Sequence, residues 1–251
     1  MASLAGVRAL VTGSTSGLGL AMASALASCG ASVVVTGRSA ERAAAVAEGL
    51  DGGRAFGLAM DVRDPASVAS GVEAAWARLG GIDLLVNNAG IGMRTVNPRF
   101  LEEPQPFWAV PVDGFRDVFE TKVTGCFLVA SAVVPRMLDA GGGRVVNISM
   151  NESTMVRRGF VPYGPSGAAV EALSRVMAAD LADTPVRVNM LLPGGATATG
   201  MVPSQGVSEE VRSSLLSPDV MGPPIVWLAS PEAADVHDER IVASEWRPAA
   251  R

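Results

Sequence analysis

The sequence predicts an α/β fold, in which a single doubly wound parallel sheet of about seven strands carries helices on both faces. Two observations lead to this prediction. Short apolar runs alternate with helical stretches along most of the chain, and turns rich in glycine or polar residues follow several of these runs. Alternating strands and helices favour a parallel sheet with right-handed crossovers. Because no internal repeat or linker is evident, residues 1–251 are predicted to form one domain.

The first strand is predicted at residues 7–11, and a glycine-rich turn, TGSTSGLG at 12–19, follows it directly. Apolar, helix-favouring residues then continue to Leu26. Such a unit can hold a dinucleotide, because glycines let the backbone approach a pyrophosphate and the helix N-terminus offers unpaired N–H groups. A tight turn without a ligand is the alternative. The predicted cofactor contacts in this segment are Gly13, Ser14, Thr15, Ser16, Gly17, Leu18 and Gly19.

The remaining elements follow from their apolar patterns. The β-branched run 32–36 predicts a buried second strand. Further strands are predicted at residues 54–59, 82–86, 144–148 and 186–192, and helices at 39–49, 65–79, 113–140 and 162–181. Residues 91–112 contain many prolines and aromatic side chains without a clear period, which is typical of a long functional loop. This loop and residues 194–216 are predicted to border the substrate.

Composition and charge restrict the class of protein. Apolar residues make up 49% of the chain, charged residues 18%, and the net charge is −5. No basic run is present, which argues against a nucleic-acid or anionic-lipid partner. No uninterrupted apolar run approaches the ~18 residues of a membrane span. The N-terminal segment lacks the features of a signal peptide, so a cytoplasmic location is expected.

Side chains that bind metals are scarce. Cys29 and Cys126 are expected to be two buried thiols rather than a disulfide or a metal pair. His237 is the only histidine. The sequence therefore predicts no metal site, and it leaves almost no material for a histidine-based nucleophile relay.

Polar motifs follow the predicted strands at their carboxyl ends, where open α/β sheets bind their ligands. These motifs are Gly37-Arg38, Asp61-Val62, Asn87 to Gly90, Ser149 and Pro193 to Thr199. The pattern TGxxxGxG at 12–19, combined with NNAG at 87–90, resembles the short-chain dehydrogenase/reductase family over nearly the whole chain. The resemblance implies a Rossmann-like sheet, a nicotinamide dinucleotide cofactor and a small-molecule substrate. It also implies a homodimer or homotetramer formed by the two long helices.

The end of the second predicted strand decides between the two nicotinamide cofactors. An acidic residue there would bind a ribose and repel a 2′-phosphate, but this chain has Gly37 followed by Arg38. A guanidinium can pair with a phosphate through two charge-assisted bonds, so NADP(H) is predicted to be favoured over NAD(H). A solvated surface arginine is the alternative. The resemblance implies further cofactor contacts from Ser39, Asp61, Val62, Asn87, Ala89, Gly90, Tyr163, Pro193, Gly194, Thr197 and Thr199.

The catalytic positions depart from the family pattern, which consists of an Asn, a Ser, a Tyr and a Lys. Tyr163 is the only tyrosine of the chain and occupies the expected position. Gly167 stands where the family has its lysine, and Lys122 stands at the asparagine position. Met150 stands at the serine position, with Ser149 one residue before it. Tyr163, Lys122 and Ser149 are therefore the predicted catalytic residues.

Lys122 offers a replacement for the missing lysine. A phenol titrates near ~10, so proton transfer at neutral pH benefits from a nearby cation that favours the phenolate. The predicted helix of Lys122 backs the same pocket, and its amine is expected to enter the space that Gly167 leaves empty. The alternative is a Lys122 side chain that extends to solvent.

Apolar side chains around the expected pocket predict a bulky, mostly apolar substrate. The predicted pocket residues are Met93, Met150, Asn151, Met155, Phe160 and Met201, with Phe107 and Trp108 as further candidates. The leading hypothesis is NADPH-dependent reduction, or the reverse oxidation, of a carbonyl or related C=X group. The alternatives are an imine reductase and an NADP(H)-binding protein of the same fold without catalytic activity.

Overall fold

The computed structural model describes residues 3–50, 53–203 and 209–248. Within them, seven strands form one sheet in the order β3-β2-β1-β4-β5-β6-β7, and every neighbouring pair is parallel. The strands are β1 (Arg8–Val11), β2 (Ser32–Gly37), β3 (Ala55–Ala59), β4 (Leu84–Asn87), β5 (Gly143–Ile148), β6 (Val186–Leu192) and β7 (Arg240–Val242). This architecture confirms the predicted α/β class and the doubly wound parallel sheet.

Burial on both faces explains the composition of the central strands. Leu10 and Val11 in β1 and Leu85 and Val86 in β4 are completely inaccessible to solvent. A parallel sheet covered on both faces requires such continuous apolar runs rather than alternation. The edge strand β7 has the sequence RIV and is only partly buried, so its pattern did not identify it before the structure was known.

Helices cover both faces of the sheet. They are α1 (Gly17–Ser28), α2 (Ala40–Glu48), α3 (Pro65–Leu79), α4 (Val112–Phe119), α5 (Gly125–Asp139), α6 (Glu152–Met155), α7 (Tyr163–Asp180), α8 (Glu209–Ser213) and α9 (Gly222–Ala229). On one face, α1 and α9 contribute Met22 and Ile225 to an apolar core. On the other face, α3 and α5 contribute Val72 and Val133 to a second core.

A π-helical turn divides the helix that was predicted over residues 113–140. The turn covers Glu120–Thr124 and joins α4 directly to α5. A π turn inserts an extra residue into a helix and is frequent at functional sites. Because Lys122 lies inside this turn, the direction of its side chain could not be derived from a regular helical period.

The combined run Val112–Asp139 has a mean hydropathy of 1.4, and by length and composition alone it could cross a membrane. A core helix of a soluble protein meets the same criteria. Here Val129, Val133 and Met137 are completely buried in the second core, as a core helix requires. The sequence predicts no membrane span, because none of its uninterrupted apolar runs is long enough. In this helix charged residues occur between the apolar residues, so it is not an uninterrupted run.

The cysteines and the histidine occupy structural positions. Cys126 is buried and Cys29 is partly buried, and neither forms a disulfide. The ring of His237 joins α7 to β6, because Nε2 lies 2.9 Å from the Ala178 carbonyl oxygen and Nδ1 accepts the Val188 N–H at 3.2 Å.

Candidate active site

The glycine-rich turn after β1 forms a narrow cradle. Gly13 has φ +61°, and a Cβ at this position would lie 2.8 Å from the Cα of Ala89. At Gly19 a Cβ would lie 2.4 Å from Nδ2 of Asn88. The N-cap residue of α1, Ser16, makes no side-chain capping bond, so the first N–H groups of α1 can serve an anion. This geometry fits a dinucleotide pyrophosphate.

Two motif residues that were not among the predicted cofactor contacts, Thr12 and Asn88, fix the shape of this cradle. The Thr12 hydroxyl accepts hydrogen bonds from the N–H groups of Asn88 and Ala89 at 2.9 and 3.0 Å. Nδ2 of Asn88 donates to the carbonyl oxygens of Thr12 and Gly13. Ser14 also supports the turn, because its hydroxyl donates to Val11 O and accepts from the Thr36 N–H. The Thr and Asn of the two motifs therefore join β1 to β4.

Arg38 lies at the carboxyl end of β2, with an exposed side chain. It makes no hydrogen bond or ion pair with a residue in the described ranges. Ser39 instead caps α2 by accepting the Arg42 N–H. The carboxylate of Asp61 accepts two bonds from the Arg63 guanidinium, at 3.1 and 2.8 Å, and this pairing lowers the pKa of Asp61. Of these residues, Arg38 is the one available to a phosphate.

The predicted contacts after β6 divide into two groups. A methyl group of Thr199 lies 3.3 Å from the Cβ position of Gly17, so Thr199 adjoins the start of α1. Thr197 is mostly buried, and its hydroxyl donates to the Gly195 carbonyl oxygen. The Gly194 carbonyl oxygen accepts a hydrogen bond from Asn151 at 3.0 Å. Thr199 is thus adjacent to the cradle, whereas Thr197 is turned into the loop.

Asn87, another predicted cofactor contact, belongs to a buried polar cluster between β4 and β5. Its Nδ2 donates to Oδ1 of Asn147 at 2.9 Å, and Nδ2 of Asn147 donates to the Ser174 hydroxyl at 2.8 Å. The Oδ1 atom of Asn87 is buried without a hydrogen-bond partner among the described residues. An unpaired buried acceptor is costly, so this oxygen is available to a donor from a ligand or a water molecule.

Lys122 and Tyr163 lie against each other at the carboxyl edge of the sheet. The Nζ atom of Lys122 is 4.4 Å from the centroid of the Tyr163 ring, within the range of a cation–π contact. The aliphatic part of the lysine passes over Gly90, where a Cβ would lie 3.2 Å from the lysine Cγ. Both side chains are partly buried, and Lys122 forms no ion pair within the described part of the chain. The lysine side chain is therefore directed toward Tyr163.

Burial shifts the titration of both groups. It lowers the pKa of Lys122 from 10.5 to about 8, and it raises the pKa of Tyr163. The sequence predicts a cation that lowers the pKa of the phenol. The ammonium instead contacts the ring face, and loss of water around the phenol determines the direction of the shift. Tyr163 is consequently protonated at neutral pH.

The space beside Gly167 is filled by Met150 rather than by Lys122. A Cβ at Gly167 would lie 2.6 Å from the Met150 Cε and 2.7 Å from its Sδ. Met150 is 6% exposed and packs its thioether directly on the α7 backbone. The expectation that the Lys122 amine occupies this space is therefore wrong. The lysine reaches Tyr163 from the Gly90 side instead.

The hydroxyl of Ser149 donates to the Glu171 carboxylate at 2.5 Å. Glu171 also pairs with Arg240 at 2.7 Å, and Arg240 donates to the Met150 carbonyl oxygen at 3.0 Å. This network links β5, α7 and β7 and gives no support to a catalytic role for Ser149. Arg240 lies far from the motifs in sequence, and Glu171, although it follows Gly167 on α7, belongs to none of the quoted motifs, so the sequence patterns did not identify either residue.

The two predicted substrate-side loops meet above Tyr163. The Met201 sulfur is 3.8 Å from the Tyr163 hydroxyl, and its Cγ lies 3.2 Å from the Cβ position of Gly92. Arg94 donates to the Gly200 carbonyl oxygen at 2.5 Å, which ties loop 91–112 to the segment after β6. Residues 204–208 of the predicted loop 194–216 lie outside the described residues.

The predicted pocket residues differ in their positions. Met93 and Phe160 belong to a small buried cluster that contacts Tyr163. Met155 is partly buried beside α7. Phe107 and Trp108 are 69% and 77% exposed and pack edge-to-face against each other, so their proposed contact with the substrate lacks support. All of these side chains are apolar, and only their burial in the fold distinguishes the ones near Tyr163 from the exposed pair.

The position of Lys122 leads to a prediction for stability. Its pKa is lower in the folded chain than in the unfolded chain, so the desolvation penalty is complete below pH 8 and disappears as the pH rises to 10.5. Lys122→Met is therefore expected to raise the free energy of unfolding at pH 7 by about 2 kcal/mol, after allowance for partial exposure. Urea unfolding at pH 7 and pH 10.5 measures this difference. An equal effect at both pH values, or destabilisation at pH 7, would contradict the burial of a charged lysine.

Known protein families and solved structures match most of this chain. The family model described as short chain dehydrogenase matches residues 8–210. Gluconate 5-dehydrogenase from Gluconobacter oxydans (strain 621H) is 37% identical over 194 residues, which cover 76% of this chain and 72% of that protein.

Two solved structures share the fold over nearly the whole chain. A gluconate 5-dehydrogenase from Burkholderia cenocepacia J2315 in complex with NADP and tartrate has a TM-score of 0.83 at 30% identity, and the match covers 96% of this chain and 94% of that one. A 3-ketoacyl-(acyl-carrier-protein) reductase from Brucella melitensis complexed with NADH has a TM-score of 0.83 at 29% identity, covering 96% and 97%. Both nicotinamide cofactors thus occur among similar proteins.

Proposed function

The chain belongs to the short-chain dehydrogenase family, and we propose that it uses NADP(H) to reduce a carbonyl group in a mostly apolar substrate, or to oxidise the corresponding alcohol. The observation that carries this proposal is the contact between Lys122 and Tyr163 beside Gly90. The contact lies at the same edge of the sheet as the glycine cradle. A proton donor and a dinucleotide site at one edge of an α/β sheet are the parts that this reaction needs.

The residues present fit a nicotinamide dinucleotide. Gly13 and Gly19 keep the turn after β1 packed against Ala89 and Asn88, and the uncapped start of α1 supplies N–H donors for a pyrophosphate. When bound, the nicotinamide supplies or accepts the hydride. The preference for NADP(H) depends on Arg38, whose exposed guanidinium can pair with a 2′-phosphate.

The preference for NADP(H) is directly measurable. Dissociation constants are expected to be at least tenfold lower for NADPH than for NADH. Arg38→Ala is expected to remove most of this difference, about 1.4 kcal/mol or more. Arg42→Ala is a matched control, because Arg42 is also exposed and lies one turn away on α2. Equal affinities of the unmodified protein for both cofactors would refute the assignment.

Tyr163 is proposed to hold the transferred proton at its Oη atom. Because burial raises the pKa of Tyr163, the phenol stays protonated at neutral pH and can donate to a carbonyl oxygen. The Lys122 ammonium on the ring face stabilises the negative charge that remains on the phenol. Lys122 and Tyr163 are thus assigned to catalysis, whereas Ser149 is assigned a structural role in its network with Glu171 and Arg240.

The same ammonium favours a carbonyl substrate over an imine. A substrate imine reacts as a cationic iminium, and a second cation beside Lys122 would be repelled. The side chains around Tyr163, among them Met93, Phe160 and Met201, are apolar. Bulky apolar ketones therefore fit the pocket better than imines or polar sugars.

A substrate panel tests this function. Bulky apolar ketones, keto sugars and cyclic imines are offered to the purified protein with NADPH, and NADPH oxidation is followed. The fastest turnover is expected with the apolar ketones. Tight binding of NADPH without turnover of any compound would identify a non-catalytic NADP(H)-binding protein instead.

We also propose that the chain forms a homodimer or homotetramer through α5 and α7. Phe127 on α5 is 51% exposed and Val176 on α7 is 57% exposed. Large exposed apolar side chains on neighbouring helices are typical of interaction surfaces.

A further inference from the structure

Lys122 is the only lysine among the 251 residues, whereas the other nineteen of the twenty basic residues are arginines. The single ε-amine of the protein lies between Gly90 and the ring of Tyr163. An arginine guanidinium cannot act as a nucleophile at ordinary pH, because it stays protonated. A primary amine can do so once it loses its proton.

The Nζ atom of Lys122 forms no hydrogen bond or ion pair with a described residue. Lys122 has no carboxylate within ion-pair distance in the described ranges, and its closest assigned contact is the face of the Tyr163 ring. The other titratable group beside it is Cys126, one turn further along the helix. The Cys126 thiol is directed to Oδ1 of Asn147 at 3.5 Å, and burial raises the pKa of this thiol to about 12. Because the thiol stays protonated at pH 8, it carries no charge that would hold the amine as an ammonium.

We propose that the ε-amine of Lys122 captures an aldehyde or ketone in this pocket as a covalent Schiff base. The amine lone pair attacks the carbonyl carbon, the C=O bond breaks, and the oxygen leaves as water. Written from the ammonium, one carbonyl compound and one R–NH₃⁺ give one protonated imine, R–NH⁺=C, and one water. Charge and atoms balance without an oxidant or reductant. The inference rests on the carbonyl pocket of the proposed function, but it does not require the cofactor.

Burial makes the reactive form accessible. With a pKa of about 8 instead of 10.5, half of the amine is neutral at pH 8, about 150-fold more than for an ordinary lysine. The Tyr163 phenol lies on the same pocket wall and can protonate the departing oxygen. The product carries the same single positive charge as the ammonium that it replaces, so the ring face of Tyr163 continues to stabilise it.

Borohydride trapping tests the proposal on the intact protein without NADP(H). The folded protein is incubated with benzaldehyde at pH 8 and reduced with sodium borohydride, and peptide mass spectrometry locates the benzyl group. We expect labelling at Lys122 at least tenfold faster than in the same chain unfolded in urea. The variant Lys122→Arg keeps a cation and the N-terminal amine, and it should lose this label while any N-terminal label persists.

The outcomes separate this inference from the reductase function. A benzyl group found only at the N-terminus, or Lys122 labelled no faster in the folded chain than in urea, would overturn the Schiff base. If Lys122→Arg does not fold, the site of the benzyl group and the rate of labelling in the unmodified chain still decide the question. Because no cofactor is present, failure of NADPH turnover leaves the trapping result unchanged, and failure of trapping leaves NADPH turnover unchanged.

Discussion

Replacing Tyr163 by phenylalanine is expected to lower the turnover number roughly a hundredfold or more, while the dissociation constant for NADPH changes less than twofold. The substitution removes the hydroxyl that lies under Met201 and keeps the ring on which the Lys122 ammonium rests. The position of the lysine and the packing of the loops should therefore persist. Steady-state kinetics with NADPH and the best ketone of the panel measure the loss.

Retained activity in Tyr163→Phe would mean that the proton comes from another group. Lys122, which contacts the Tyr163 ring, is the first candidate, and Glu152 at the start of α6 is another. Trp108→Ala serves as a matched control for the loss of an aromatic contact near the substrate side, because Trp108 is 77% exposed and lies outside the proposed machinery. This control should keep the turnover number close to that of the unmodified protein.

The second large effect is expected at Lys122. Lys122→Asn removes the cation from the face of Tyr163 and should lower kcat about tenfold to a hundredfold. Because the pKa of Lys122 is about 8, activity of the unmodified protein should fall as the pH rises through 8, when the ammonium loses its proton. The variant should lack this decline. A pH profile of kcat measures both results, and an unchanged decline near pH 8 in Lys122→Asn would show that another group titrates there.

Restoring the family lysine requires two substitutions in this chain. Gly167→Lys alone should help little, because its Cβ would lie 2.6 Å from the Met150 Cε. The combination Met150→Ser with Gly167→Lys opens this space and returns a cation to the tyrosine's own helix. Added to Lys122→Asn, it should recover much of the lost activity, with strong non-additivity because both cations act on one phenol. A large gain from Gly167→Lys alone would indicate a disabled site rather than a moved lysine.

The sheet could be predicted because its central strands have a distinctive sequence pattern. Val33, Val34 and Val35 of β2 are completely buried, and such a run has few alternatives to a strand buried on both faces. The edge strand β7 could not be located, because a partly exposed RIV segment carries no such pattern. The π turn at Glu120–Thr124 was not predicted either, because the sequence ETKVT has no spacing that distinguishes a π turn from a regular helix.

The candidate site was predictable where backbone geometry dictates the residue type. Gly13 and Gly19 are required by the close approach of Ala89 and Asn88 after β4, so the spacing of the glycines was enough to predict the turn. The side chains behind Tyr163 depend on contacts across the sheet instead. Met150 fills the space beside Gly167, and Ser149 turns to a glutamate twenty-two residues away. No spacing in the sequence encodes either contact.

Transfer of deuterium from the nicotinamide ring tests the central claim most directly. The purified protein is given NADPH deuterated at C4 on either face, together with the preferred apolar ketone at pH 7. The label is then sought at the carbinol carbon of the product alcohol by mass spectrometry. The proposed oxidoreductase function predicts one labelled alcohol from one of the two deuterated faces, formed roughly a hundredfold more slowly by Tyr163→Phe. Binding of NADPH with no deuterium in any alcohol would contradict it and leave a protein that holds the cofactor without using it.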